Sequence, residues 1–148
     1  MKGLIFIGLQ ASGKSTFFLE YFYHTHMRLN MDMLKTRYRE TILLNACLEG
    51  KQKVVIDNTN PTIKERAKYI QLFKQKKFKV GGYYFQSNIA ECLKRNGLRK
   101  GKAMIPEVGI KSTFKKLERP SYNEGFDELF YVSLEGNQFK ISPWNNEG

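Results

Sequence analysis

Four short apolar runs punctuate the chain: Leu4-Ile5-Phe6-Ile7, Val54-Val55-Ile56, Val80 with Tyr83-Tyr84-Phe85, and Phe130-Tyr131-Val132. Runs this short and continuous, rich in branched and aromatic residues, predict strands buried on both faces. Between them lie stretches that predict helices, at residues 15–23, about 32–48, 63–76, 89–96 and 108–117. Thr62 and Glu65 stand three apart after Pro61, the spacing of a capping box, and Asn88 and Glu91 repeat it at the next helix. Strand alternating with helix predicts a parallel sheet covered on both faces. The end of the chain differs: a strand at 130–134, the turn Glu135-Gly136-Asn137 and a short strand at 138–141 suit an antiparallel edge. There is no internal repeat, low-complexity tract or linker, so a single domain spanning 1–148 is expected.

The first strand runs straight into Gly8-Leu9-Gln10-Ala11-Ser12-Gly13-Lys14-Ser15, which fits the P-loop pattern G-x-x-x-x-G-K-S/T between a strand and a helix. Gly8 and Gly13 permit backbone conformations and close approaches that a β-carbon would block. The turn aims successive N–H groups at phosphate oxygens, at the positive end of the following helix. Lys14 then reaches the β- and γ-phosphates, and the Ser15 hydroxyl ligates Mg²⁺. The expected fold is α/β, a three-layer P-loop NTPase of the nucleoside-monophosphate-kinase-like kind. ATP and Mg²⁺ are its expected cofactors, with Gly8, Gln10, Ala11, Ser12, Gly13, Lys14, Ser15 and Thr16 around the phosphates.

Charge narrows the partner. The chain carries 25 Lys and Arg against 14 Asp and Glu, a formal net charge of +11. Such a surplus favours polyanionic partners and solubility, and says nothing about fold. Two cysteines, Cys47 and Cys92, lie in predicted helices and read as buried thiols rather than a disulfide. No apolar run approaches the roughly 18 residues of a membrane span, and Met1 to Gly8 does not fit a signal peptide. A cytoplasmic protein is expected, its oligomeric state open.

Downstream features separate kinases from GTPases. There is no N-K-x-D guanine signature, and none of Asp32, Asp57 or Asp127 begins a D-x-x-G switch. The basic stretch Lys94-Arg95-Asn96-Gly97-Leu98-Arg99-Lys100-Gly101-Lys102 lies between two helices, late in the domain, where small P-loop kinases carry a lid. Arg95 and Arg99 share a helical face if the helix extends that far, and an arginine closing on transferring phosphate is worth roughly 10³–10⁵ in rate. A solvated basic loop is the other reading.

Asp32, after Asn30-Met31, opens the second predicted helix. It is either a helix-start residue, favoured by the dipole, or a base that orients and receives the proton of an attacking hydroxyl. Lys35, one turn on, can pair with an acceptor phosphate. Asp57 closes the strand Val54-Val55-Ile56 and should point into a site beyond the strand ends. There it serves as a Walker-B-like carboxylate holding Mg²⁺ through water, or only forms a turn with Asn58.

Together these segments resemble the kinase domain of polynucleotide 5′-hydroxyl kinases, including that of the bifunctional polynucleotide kinase/phosphatases, over residues 8–142. The P-loop with Thr16 and Phe17, Asp32 at the N-R-D element, Asp57 and Thr59 within I-D-N-T-N-P, Arg95-Asn96 and Arg99 in the lid, and Glu124-Gly125-Phe126 carry the likeness. The resemblance implies transfer of the γ-phosphate of ATP to a 5′-hydroxyl of a nucleic acid. It implies Lys14, Asp32 and Arg99 as catalytic residues, with Arg95 beside Arg99 on the nucleotide. Asp32, Lys35, Asp57 and Thr59 fall on the acceptor, and Ser15 and Asp57 on the metal; the lid spans about 95–106. Met31 replaces the family's arginine, and Lys35 stands where some members place an arginine, keeping the charge without the bidentate fork. No D-x-D-G-T phosphatase signature occurs. A small-molecule kinase and a non-catalytic ATP-binding protein are the alternatives. His24 and His26, the Tyr83-Tyr84-Phe85 run and the cluster Lys111, Lys115, Lys116 and Arg119 read as structural or surface features, the last also as an extension of a nucleic-acid track.

Overall fold

The structure, a computed structural model, describes residues 1–101 and 104–145. Six strands, β1 (Lys2–Ile7), β2 (Met27–Leu29), β3 (Val54–Ile56), β4 (Lys79–Phe85), β5 (Glu128–Glu135) and β6 (Gln138–Pro143), form one sheet in the order β2-β3-β1-β4-β5-β6. The first five are parallel, and β6 returns antiparallel on β5, so the expected edge hairpin is present. Six helices connect them: α1 (Lys14–Tyr21), α2 (Met31–Leu34), α3 (Arg37–Glu49), α4 (Ile63–Gln75), α5 (Ile89–Gly97) and α6 (Glu107–Lys116).

The alternation of side chains along β1 builds two cores. Ile5 and Ile7 pack with Val54, Ile56 and Val80 against Leu44, Leu48, Tyr69, Ile70 and Phe73 of α3 and α4. Leu4 and Phe6 pack on the opposite side with Val55, Phe85 and Val132 against Phe17 and Phe18 of α1. Both faces of the central strand are buried, which is the physical content of a three-layer α/β arrangement. A third cluster, Leu9, Cys92 and Ile110, seats α5 and α6 on the loop after β1. Gly81 and Gly82 break the apolar run of β4 for a reason: a β-carbon would come within 2.7 Å of Leu4 at the first and 2.6 Å of Leu129 at the second.

Two expectations are corrected. The helix expected over about 32–48 is two helices. α2 stops at Leu34, Lys35 takes a left-handed φ of 73°, and Thr36 starts α3 by accepting from the Arg39 N–H at 3.1 Å. The strand β2 has no counterpart among the predicted runs, because it is three residues long with an arginine at its centre and only Leu29 fully buried. Thr62 and Asn88 do cap α4 and α5, each accepting from the amide three residues on. Among the described residues no helix is long and apolar enough to cross a membrane.

Candidate active site

The loop after β1 wraps back on itself around Lys14. Gly13 caps α1 with φ 101°, a conformation that disfavours any β-carbon. The Gly8 N–H donates to the carbonyl of Thr59 at 3.0 Å, tying the loop to the segment after β3. Lys14 is buried and donates to the carbonyls of Gly8 (2.9 Å) and Leu9 (2.5 Å), with the Ser12 hydroxyl at 3.4 Å. Burial pulls its ammonium down from 10.5 to about 8, against the attraction of Asp57. Gln10 reaches across to the Thr113 hydroxyl of α6 at 3.1 Å.

This loop forms one wall of a cleft of about 300 Å³, lined by Gln10, Ala11, Gly13, Lys14, Ser15 and Thr16. Asn30, Met31 and Asp32 form the facing wall, Asp57, Asn58 and Thr59 its floor, and Arg99 and Ile105 its upper edge. The facing wall is held by side chains rather than by its short helix. Asn30 caps α2 by accepting from the Met33 N–H (3.2 Å) and donates to the Asp57 carbonyl (2.6 Å). Asn58 accepts from the Met31 N–H (2.9 Å) and donates to Glu40 (3.1 Å). Glu40, buried on α3, also takes the Tyr69 hydroxyl (2.9 Å) and Arg37 (3.1 Å). Burial, reinforced by Glu40, pushes the Tyr69 phenol far above its usual range, so it stays a donor. Asp32 therefore sits on a first turn pinned at its start, at residues 30 and 31.

Lys35 is a further correction. As the exposed C-cap of α2 it does not share a helical face with Asp32 and does not line the cleft; Arg37 does. Arg37 lies at the start of α3, with its guanidinium on Glu40 and 2.9 Å from the Tyr69 oxygen.

Ser15 and Asp57 meet through a residue that sequence reasoning missed. Arg28, at the centre of β2, donates from Nε to Asp57 Oδ2 (2.7 Å) and from Nη2 to Ser15 Oγ (2.9 Å). The two oxygens are thus near enough to contact one cationic group, and a hydroxyl with a carboxylate is the hard donor set that suits Mg²⁺. Nothing in the three residues of β2, exposed, half-buried and buried in turn, marked Arg28 beforehand.

In the lid region the helix expected over 89–96 is α5. α5 ends at Gly97, with Leu98 as its cap, so Arg99 lies beyond the helix and does not share a helical face with Arg95. Instead Asn96, nearly fully buried, clamps the returning chain, donating to the Ile105 carbonyl (2.6 Å) and accepting from the Ile105 N–H (2.8 Å). Arg95 donates to the Ala11 carbonyl at 3.2 Å and to Glu91 at 3.3 Å. Lys102 and Ala103, within the expected lid, lie outside the described residues. On the other side of Arg99 a second cavity of about 410 Å³ shares Ala11, Gly13, Thr16 and Arg99 with the first. Its remaining walls are Glu20, Arg95 and the tip of the β5–β6 hairpin, including Asn137 and Phe139. Glu124, in the E-G-F element, stands outside both cavities. It holds the fully buried Arg66 with two contacts of 2.8 and 3.1 Å, and Arg66 in turn donates to the Asn60 carbonyl.

With this geometry in hand, the comparisons with known proteins are specific. The family AAA_33, described as an AAA domain, matches residues 4–120. The "Bifunctional polynucleotide phosphatase/kinase" of Schizosaccharomyces pombe is 26% identical over 147 residues, covering 96% of this chain and 36% of that protein. The chain thus spans about a third of the length of that curated relative. Among solved structures, Kti12 of Chaetomium thermophilum in complex with ADP-AlF3 superposes with a TM-score of 0.73 at 13% identity, covering 90% of this chain and 89% of that one. A gluconokinase from Sinorhizobium meliloti 1021 superposes at 0.63 with 16% identity, covering 89% and 82%. At these identities the superpositions establish the fold.

Proposed function

The chain belongs to the AAA_33 family of AAA domains and has the architecture of a P-loop kinase, and from that premise we propose that it transfers the γ-phosphate of ATP to the 5′-hydroxyl of a polynucleotide. One observation carries the reading. A single cleft is lined by Lys14 and the glycine-rich loop, by Asp32 and by Arg99.

Each group then has a task. The loop amides and Lys14 bind the terminal phosphates, and Lys14 offsets charge that develops on the transferred oxygens. Asp32 orients the hydroxyl and takes its proton late in a loose transition state. Arg99 closes over the phosphate from the lid, which spans about 95–106, and Arg95 steadies Ala11 and the loop beneath it. The second cavity receives the nucleoside end of ATP, since it shares the loop and Arg99 with the first. Ser15 and Asp57 would hold Mg²⁺, which when bound would supply positive charge to offset that of the phosphates. Thr59 and Asp57 form the floor on which the acceptor rests.

Two things favour a polynucleotide over a small hydroxyl compound: the net charge of +11, and the likeness to a protein named a polynucleotide phosphatase/kinase along nearly this whole chain. Arg37, rather than Lys35, is placed to take an acceptor phosphate as a planar fork. The test is an acceptor screen with γ-labelled ATP over 5′-hydroxyl DNA, 5′-hydroxyl RNA and a set of sugar acids and nucleosides. Labelled oligonucleotide is the expected product, with affinity falling steeply with salt. Label confined to a small metabolite would overturn the polynucleotide assignment and leave the phosphotransferase one standing.

A further inference from the structure

A guanidinium already stands where the divalent ion is expected. Arg28 Nη2 is 2.9 Å from the Ser15 hydroxyl and its Nε is 2.7 Å from Asp57, whose side chain is 1% exposed. This position follows from the backbone. Arg28 is opposite Val55 in the β2–β3 register, and the Asp57 N–H donates to the Leu29 carbonyl at 2.8 Å. The side chain runs past Phe18, with Cζ 6.0 Å from the ring centroid. Strand pairing, an ion pair and a ring thus fix one arginine on two oxygens that belong to different elements. We propose that Arg28 is the resident counter-ion of the metal site, a positioning residue that denies the site to a bare divalent ion and yields it to one arriving on a nucleotide.

The block is the positive charge of the guanidinium, held on both oxygens at once. While it is in place, the charge of Asp57 is neutralised and Ser15 is occupied as an acceptor. A bare divalent ion then meets a cation already held between the exposed Ser15 hydroxyl and the buried Asp57 carboxylate. A nucleotide reverses the balance, because its phosphates bring enough negative charge to attract both cations. Nη2 then gives up the Ser15 hydroxyl, while Nε stays on Asp57, whose hold on the metal passes through water. The site so built takes its metal only as the metal–nucleotide complex. The proposal rests on reading Ser15 and Asp57 as the metal end of a phosphoryl-transfer site; the identity of the acceptor does not enter.

The experiment is a Mn²⁺ titration of the nucleotide-free full chain followed by electron paramagnetic resonance, for the wild type, Arg28→Gln and Arg28→Lys. Arg28→Gln should bind Mn²⁺ at least about tenfold more tightly than wild type, while Arg28→Lys, which keeps the charge, should stay near wild type. Equal affinities in wild type and Arg28→Gln overturn the proposal. Since removing one partner of Asp57 can unfold the variant, a second measurement uses the wild type alone. Nitrogen-edited NMR of arginine side chains should show the Arg28 guanidinium signals moving on addition of Mg²⁺ with ADP and hardly at all on ADP without metal. Equal shifts in the two cases overturn it. Failure to label any polynucleotide with the Mn²⁺ difference intact removes the acceptor assignment only; labelling without that difference removes this proposal only.

Discussion

The two walls of the cleft are built by different rules. The phosphate-cradle wall is one uninterrupted stretch, Gly8 through Thr16, whose lysine is held by the loop's own carbonyls at Gly8 and Leu9, with ties from Thr59, Arg95 and Thr113 added from outside. The Asp32 wall is assembled across the chain. Asn30 reaches Asp57, Asn58 reaches Met31 and Glu40, and Arg37 reaches Tyr69, over separations of 27, 27, 18 and 32 residues. A helix of four residues such as α2 has too few hydrogen bonds to hold its own orientation, so the orientation of Asp32 depends on these side chains. The cradle keeps its central lysine through contacts within the loop, whereas the Asp32 wall should fail when a distant prop is removed.

The largest expected effect comes from a buried pair behind the segment after β3. Glu124→Ala leaves the fully buried Arg66 without its carboxylate and loosens its hold on the Asn60 carbonyl. Breaking a buried pair on one side costs about 3–5 kcal/mol, a fall in Tm on the order of 10 °C for a domain of this size. Thermal unfolding by circular dichroism checks it; an unchanged Tm would mean that this pair does not brace the segment.

Next comes acceptor binding. Arg37→Ala should raise the acceptor KM by about tenfold, in line with loss of a charge-assisted pair, while Lys35→Ala, exposed outside the cleft, should change it by less than about twofold. Steady-state kinetics with an oligonucleotide acceptor compare the two, and the reverse ranking would break the assignment of Arg37.

The smallest effect tests the cradle. Lys14 sits near pKa 8 in the free protein, lowered by burial, and a bound phosphate raises it. Nucleotide binding near pH 8 should therefore take up about half a proton, with affinity falling as pH rises through that value. Calorimetry in buffers of different ionisation enthalpy reads this directly, and zero uptake would mean that Lys14 is already charged.

The same contrast explains what was legible in the sequence. Continuous apolar runs announced β1, β3, β4 and β5, and the contiguous loop motif announced the cradle, because in both cases the physical cause lies in neighbouring residues. β2 was illegible, since three residues around an arginine carry no apolar run, and Arg28 was missed with it. The break at Lys35 was hidden because residues on both sides favour helix; Thr36 was its only local mark. The Asn96–Ile105 clamp depends on a side chain meeting backbone nine residues away, which no periodicity reports. Lys35 was placed beside Asp32 by assuming one helix where there are two. Glu124 carried a motif likeness, and the structure gives it a bracing contact with Arg66.

The central claim is that Asp32 faces the terminal phosphate as the group that receives the acceptor's proton. Single-turnover transfer from prebound ATP to a 5′-hydroxyl oligonucleotide, in Asp32→Asn against wild type, tests it most directly. The expected result is a loss of roughly 10²–10⁴ in the transfer rate with nucleotide affinity unchanged. Transfer at the wild-type rate would contradict it.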